Sequence, residues 1–307
     1  MIPVTVVMRS YNDGALLPRT LAALAAQTGV RWTLAVFESA SRDDSPAQLR
    51  AFLDAHGGEA AGHRFTALAP GTYRSSRVLN DGVRGATTAL VVFLNSDAVL
   101  ATPDTIATLV APFADDVRLA GTFAQQSVRA HAAAMTRLDH EIAFRRRARL
   151  GAAADWMSLV ASAIRRTAWD EVPFDERLTY AEDAVWSVAV AARGWRTRYM
   201  PAAVAEHSHD YTPGERRKRA HGDAAALAVL ATKPPPAGYA GGVLVPFAKR
   251  CLRDAWLVTR LGRPWQAALV PWHRYPQMVG QWQGARAGWQ TLHADARAEI
   301  PPPEAAP

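Results

Sequence analysis

The 307-residue chain is 49% hydrophobic and 21% charged, a composition with ample material for a buried core, which excludes a wholly disordered protein. The single Cys251 excludes an internal disulfide framework and a Cys-rich zinc module and fits a reducing compartment. No apolar run approaches the roughly 18 residues that span a bilayer, and Met1 leads into a strand-like stretch without a basic leader, so a cytosolic protein is expected. The net charge of +7 belongs to the C-terminal part: Gly214 to Arg297 holds 13 Lys and Arg against 4 Asp and Glu.

In chain order, Val4 to Met8 reads as a buried strand. It is followed by the turn-like Ser10-Tyr11-Asn12-Asp13-Gly14 and by Leu16, Leu17, Thr20, Leu21 and Leu24 at helical spacing. Trp32 to Phe37 gives a second strand ending at Glu38, and Ser45-Pro46 opens a helix through Leu53. Arg64 to Leu68 is a third strand, Val78 to Ala86 a helix, Leu90 to Leu94 a strand closed by Asn95-Ser96-Asp97, and Thr102-Pro103 a further helix start. This alternation predicts an α/β fold, a mostly parallel, doubly wound sheet with its ligands beyond the carboxyl ends of the strands. No G-x-G-x-x-G and no Gly-Lys pair occurs, which excludes the dehydrogenase and P-loop fingerprints.

After Gly121 the pattern suggests longer helical stretches, including the basic run Arg145, Arg146, Arg147 and Arg149, which reads as a solvated face or, since guanidinium matches phosphate geometry, a phosphate contact. Thr179 to Glu182 has the spacing of a capping box. The helix it opens would turn Val185, Val188, Ala189 and Ala192 inward and stop at Gly194. Thr197 to Met200 and Val204 form a last strand before His207-Ser208-His209. Beyond Gly214 lies a basic helical extension with five of the ten Trp, suited to a membrane headgroup layer, less so to nucleic acid, or to packing on the core. Residues 299–307 are expected to be disordered.

Three clusters could carry chemistry. Asp97 closes an apolar strand, where a carboxylate can hold Mg²⁺ or Mn²⁺ or simply cap a turn. Glu182 and Asp183 open a helix, where a carboxylate also complements the helix dipole. His207 and His209 alternate on extended chain, so both imidazoles share one side, as a ligand pair, a ligand with its hydrogen-bond partner, or a structural pair.

Together Ser10-Tyr11-Asn12, FESAS, LNSDA, FDERLTYAEDAVW and AEHSHDYT resemble, in order and spacing over about residues 1–215, the inverting glycosyltransferases of family 2, which have a GT-A fold. GTFAQQSVRAHA, SAIRRTAWDEVPFDERL and RYPQMVGQWQGARAG further resemble the bacterial rhamnosyltransferase-like branch, which uses dTDP-L-rhamnose to build O-antigen or exopolysaccharide. The resemblance implies a GT-A domain over 1–215 (nucleotide half 1–125, acceptor half 126–215) and a helical extension over 216–298. It also implies a donor that is a dTDP- or UDP-sugar, a saccharide or lipid-linked acceptor, and attachment to the inner-membrane surface.

By the same resemblance Glu38 accepts a hydrogen bond from pyrimidine N3–H, although Asp is usual there. Arg9, Ser10 and Tyr11 flank the base, Arg77, Asn80 and Ser96 lie near ribose or diphosphate, and Asp97 holds the metal with His207 or His209. The usual Asp-x-Asp stands here as Asn95-Ser96-Asp97, one carboxylate short. Asp183 becomes the general base on the acceptor hydroxyl, with Glu182 and Trp186 in the acceptor pocket. A UDP-hexose transferase and a non-catalytic basic module binding membrane or nucleic acid are the rival readings.

Overall fold

The computed structural model describes residues 1–150 and 156–298, with side chains for 1–144 and 156–292. The side chains of the basic run at Arg145–Arg149 and the whole tail at 299–307 therefore lie outside what is described. The apolar runs form strands β1 (Ile2–Ser10), β2 (Val30–Glu38), β3 (Arg64–Ala67) and β4 (Leu90–Asn95), followed by the short β5 (Val99–Leu100), β6 (Leu119–Ser127), β7 (Ala161–Arg165) and β8 (Arg196–Glu206). They make one eight-stranded sheet in the order β3-β2-β1-β4-β7-β6-β8-β5. Pairing is parallel from β3 to β4 and between β6 and β8, whereas β7 runs antiparallel to both of its neighbours.

The residues after Gly121 correct the sequence reading. Gly121 lies inside β6, a strand where helix is expected, and β7 adds a strand that the sequence pattern does not announce. Neither alternates hydrophobic and polar residues, because both lie in the middle of a sheet covered on two faces, and β7 is only five residues long.

Packing divides the chain into two units, Met1–Leu178 with Glu182–His209, and Thr179–Ala181 with the residues from Asp210 on. In the first, β1 faces both ways. Val4, Val6 and Met8 join Leu17, Leu21 and Leu24 of α1 (Leu17–Ala25), Leu49 and Leu53 of α2 (Ser45–Ala55) and Ile106 of α4 (Thr105–Val110). Val7 joins Leu79 of α3 (Ser75–Arg84), Trp169 of α6 (Arg166–Glu171) and Trp186 of α7 (Glu182–Ala191) on the other face. A Cβ at Gly82 would stand 2.6 Å from Val7 Cγ1, so this glycine sets how closely α3 lies on β1. α5 (Ala134–Leu150) follows β6.

In α7 the expected capping box does not form: Ala181 takes φ 51°, and the helix begins at Glu182. Its inner face is Ala184, Trp186, Ser187 and Val190, with Val188 39% exposed, because the indole of Trp186 claims the core. The box forms instead at Thr212. Its hydroxyl accepts from Glu215 N while Glu215 Oε2 accepts from Thr212 N, which opens α8 (Pro213–Leu227). In this second unit α8 packs along α10 (Val270–Ala298), with α9 (Val245–Arg260) before it. Gly280, Gly284 and Gly288 make the close approach: a Cβ at each would lie 2.0–2.3 Å from a carbonyl oxygen of α8.

Candidate active site

Asp97 sits two residues past Asn95, the end of β4, buried, where the chain leaves the sheet. The Oδ2 atom lies 3.6 Å from His207 Nε2 and 3.4 Å from His209 Nε2, and the two imidazole nitrogens lie 3.1 Å apart. These three groups form a set of donors able to hold a metal ion. His207 Nδ1 meets Gln126 Oε1 at 3.0 Å, and the Gln126 amide nitrogen donates to Ser158 Oγ at 2.8 Å, which fixes the amide's orientation. An acceptor at Nδ1 places the ring proton there and leaves Nε2 with its lone pair toward Asp97. Burial, opposed by Asp97 and reinforced by His209 and Arg129, pushes the His207 pKa down to about 4, so the imidazole is neutral near pH 7. Burial works against the charge of Asp97, but His207, His209 and Arg129 hold its carboxyl below the usual range. Arg129 Nη2 donates to Asp97 Oδ2 at 2.9 Å and to the Asp97 carbonyl at 2.6 Å. The residues thus fit a divalent cation: an ionised carboxylate and an imidazole nitrogen oriented from behind.

A second cluster lies where β1 and β4 end side by side. Arg9 Nη1 donates to Ser75 Oγ at 2.7 Å and Glu182 Oε1 at 3.2 Å, and Nη2 donates to Asn95 Oδ1 at 2.9 Å. The Ser75 hydroxyl also donates to Glu182 Oε1. Burial disfavours the guanidinium charge, yet Tyr73, Glu182 and Asp183 outweigh it and hold the Arg9 pKa above its ordinary value. Asp183 is half-buried, its Oδ1 accepting from Ala184 N at 2.9 Å and Oδ2 from Leu159 N at 3.4 Å.

Three consecutive residues ahead of β7 tie the clusters together. Ser158 holds Gln126 behind His207, Leu159 N donates to Asp183, and the Val160 carbonyl accepts from Asn95 N at 3.0 Å. With Arg9 joining Glu182 to Asn95, two residues before Asp97, the aspartate at the sheet end and the one opening α7 belong to one hydrogen-bonded framework.

Glu38 is buried at the end of β2, with Oε2 accepting from Ala40 N at 3.1 Å and Oε1 from Ser41 N at 2.7 Å. The loop it holds is clasped to the β1–α1 loop by Asn12, whose side chain accepts from Arg42 N at 2.8 Å. Among the described residues, Asn12, Ala40 and Ala181 are the non-glycine residues with positive φ, at 53°, 57° and 51°. Such conformations cost about 1–3 kcal/mol each and persist where surrounding bonds over-determine them, typically at working sites. Ser10 is buried and its hydroxyl has no hydrogen-bond partner among the described residues; the Tyr11 ring is 56% exposed.

Other candidates stand apart. Arg77 is exposed and faces Asp81 at 3.9 Å. Asn80 is fully engaged elsewhere: its amide donates to Phe174 O and Glu176 Oε1 and accepts from Trp169 Nε1 and Phe174 N, all at 2.8–3.0 Å. Asn80→Ala strands two donors in the interior, so a loss of about 2–5 kcal/mol is expected in urea unfolding. Trp186 is also core, its ring against Phe174 and Nε1 donating to Val172 O at 2.6 Å, because a helix aromatic one turn past Asp183 falls on the inner face of α7.

Residues 3–221 match the family model described as glycosyltransferase like family 2. The chain belongs to glycosyltransferase family 2. It is 28% identical over 233 residues, 70% of this chain and 69% of the other, to the O-antigen chain rhamnosyltransferase RfbN of Salmonella typhimurium. The mannosyltransferase PcManGT of Pyrobaculum calidifontis, solved with GDP-Man and Mn²⁺, superposes with a TM-score of 0.61 at 21% identity, covering 92% of this chain and 85% of that one. Glucosyl-3-phosphoglycerate synthase of Mycobacterium tuberculosis, solved with Mn²⁺, UDP and phosphoglyceric acid, gives 0.55 at 17%, covering 79% and 81%. The fold is GT-A, a mixed α/β sheet with a helical C-terminal region, and the protein is an enzyme of the glycosyltransferase class.

This glycosyltransferase also brings in residues that the sequence reading does not single out. Gln126 and Arg129 stand in β6 and just after it, in a stretch read as helical, and Ser75 opens α3 before a polar stretch. Asp13 accepts a hydrogen bond from the Ser96 hydroxyl, and burial, opposed by that bond but reinforced by Asp97, raises its pKa. A turn residue after a strand carries no spacing signal for such a role.

Proposed function

We propose that this enzyme transfers L-rhamnose from dTDP-L-rhamnose to a saccharide hydroxyl with inversion, in building O-antigen or a related polysaccharide. The observation that supports the reading is the chain of hydrogen bonds that links the residues around Asp97 to those around Asp183. The donor assignment draws on the rhamnosyltransferase relative. Asp183, facing the acceptor, removes the hydroxyl proton as the new bond to C1 forms; positioned acid–base groups contribute about 10²- to 10⁴-fold. Glu182, paired with Arg9 and hydrogen-bonded by Ser75, fixes the start of α7 and so the aim of Asp183. Ser10, Tyr11 and the Glu38 loop bound the base, Glu38 retaining lone pairs for a pyrimidine N3–H beside the two amides it already accepts. Ser96 flanks the diphosphate side; Arg77 stays at the surface beside Asp81, and Asn80 and Trp186 serve the core.

Asp97 with His207 and His209 would hold a divalent cation, Mn²⁺ suiting imidazole donors better than Mg²⁺. Such an ion supplies charge stabilisation for the departing diphosphate. Gln126 acts from behind, by keeping the His207 ring turned. Gln126→Leu is expected to weaken Mn²⁺ binding about 10- to 100-fold in calorimetry with the fold intact.

A donor panel tests the assignment. With dTDP-L-rhamnose, UDP-glucose, UDP-galactose and GDP-mannose, turnover is expected to be highest with the rhamnosyl donor, giving an inverted anomer by NMR. A UDP-hexose consumed faster than dTDP-L-rhamnose overturns the donor, and retained configuration overturns the single displacement.

A further inference from the structure

We infer that the exposed face of α9 and of the segment leading into α10 docks this enzyme on a bilayer with anionic headgroups. Among the described residues no helix is long and apolar enough to cross a membrane. α9, at 16 residues, is about 24 Å long at 1.5 Å per residue, short of the roughly 30 Å hydrocarbon layer. Its surface is nonetheless unusual. Val245, Leu252 and Trp256 are 49%, 74% and 57% exposed and recur at intervals of seven and four, a single helical face. Next in sequence, Trp265 and Leu269 on the 3₁₀ turns Pro264–Leu269 and Trp272 in the first turn of α10 are 70%, 47% and 74% exposed, adding large apolar side chains to the same exposed stretch. Large apolar side chains left in water together, while Asp254 and Val258 of α9 are buried, mark a contact surface.

Charge says what covers it. From Ala224 to Ala294 the chain holds eight Lys and Arg and a single acid, Asp254. That acid is fully buried, bonded to Arg274 Nε at 2.5 Å and Arg253 Nε at 2.6 Å, so no carboxylate of this stretch faces outward among the described residues. Lys249, Arg260 and Arg263 are exposed on and after α9, and the Arg260 guanidinium lies over the Trp256 ring at 4.9 Å. Indoles and leucines bordered by cations, with no exposed carboxylate, match the layer where acyl chains meet anionic lipid heads. Nucleic acid would answer the charge but leave the leucines and indoles in water, and an unlike protein face would answer the apolar side chains without requiring the missing acids.

Vesicle flotation of the full chain tests the inference, with phosphatidylethanolamine–phosphatidylglycerol vesicles against phosphatidylcholine alone. The enzyme is expected to float with the anionic vesicles and to lose most of that binding as salt rises. Trp265→Ser with Trp272→Ser should lower the partition at least about tenfold, and Lys249→Gln or Arg260→Gln about fivefold each. Circular dichroism and turnover on a water-soluble acceptor should stay unchanged, with Leu252→Ser as a milder variant should the tryptophan pair misfold. Failure of the wild type to float, equal binding by the variants, or a light-scattering dimer that the tryptophan substitutions dissolve would each overturn it.

Discussion

Asp183→Asn is expected to lower kcat by about 10²- to 10⁴-fold while leaving donor affinity within a few-fold. The substitution keeps size and removes only the ability to take a proton. Asp183 Oδ1 accepts from its own helix at Ala184 N and Oδ2 from Leu159 N, so the amide can keep one of these bonds but must turn an NH₂ toward the other donor. Glu182, held by Arg9 and Ser75, keeps the start of α7 in place, so the loss falls on the chemical step. Single-turnover rates with dTDP-L-rhamnose, beside dTDP binding by calorimetry, separate the two terms. Undiminished turnover would remove Asp183 as the base.

The second large effect belongs to Asp97. Asp97→Asn is expected to weaken Mn²⁺ binding by more than about 100-fold and to reduce turnover with it, since only the ionised side chain offers a full charge to the cation. The fold should survive, because Arg129 still bonds the carbonyl oxygens of residue 97 and Ser208 when its carboxylate partner is gone. His207 sharpens the expectation through pH. Its folded pKa of about 4 lies below the 6.5 of a free imidazole, so the unfolded chain binds the extra proton between those values. In metal-free protein this group's contribution to stability is therefore full above about pH 6.5 and is lost as pH falls toward 4. Above about pH 5 no proton competes at His207 for the cation, so Mn²⁺ binding that weakened steeply between pH 7 and pH 5.5 in a His209→Gln variant would contradict the neutral state assigned to His207.

The first half of the fold was legible because β1, β2 and β4 are largely apolar runs, the first two leading straight into amphipathic helices, a rhythm that a doubly wound sheet imposes on any chain. Asp97 and the two histidines stood out for the same reason: each follows a strand end, where side chains converge. β7 escaped because five residues in mid-sheet offer no period, and with it went the 158–160 segment that joins the two clusters. Trp186 and Asn80 were placed by the resemblance at the site, but their polar atoms are spoken for by Val172, Phe174 and Trp169, contacts more than ten residues away in sequence that no local pattern reveals. The capping box at Thr179 shows the converse. A Thr-x-x-Glu spacing occurs twice, and only at Thr212, where Pro213 follows at the first helical position, does the backbone take it up.

The most direct test is a crystal structure of the enzyme with dTDP and Mn²⁺, the ion located by its anomalous signal. The account predicts one manganese bonded to Asp97 and to an imidazole of the His207–His209 pair, the pyrimidine beside the Glu38 loop, and the Asp183 carboxylate facing the space next to the β-phosphate. Manganese bound away from Asp97, or Asp183 walled off from the diphosphate by protein, would contradict it.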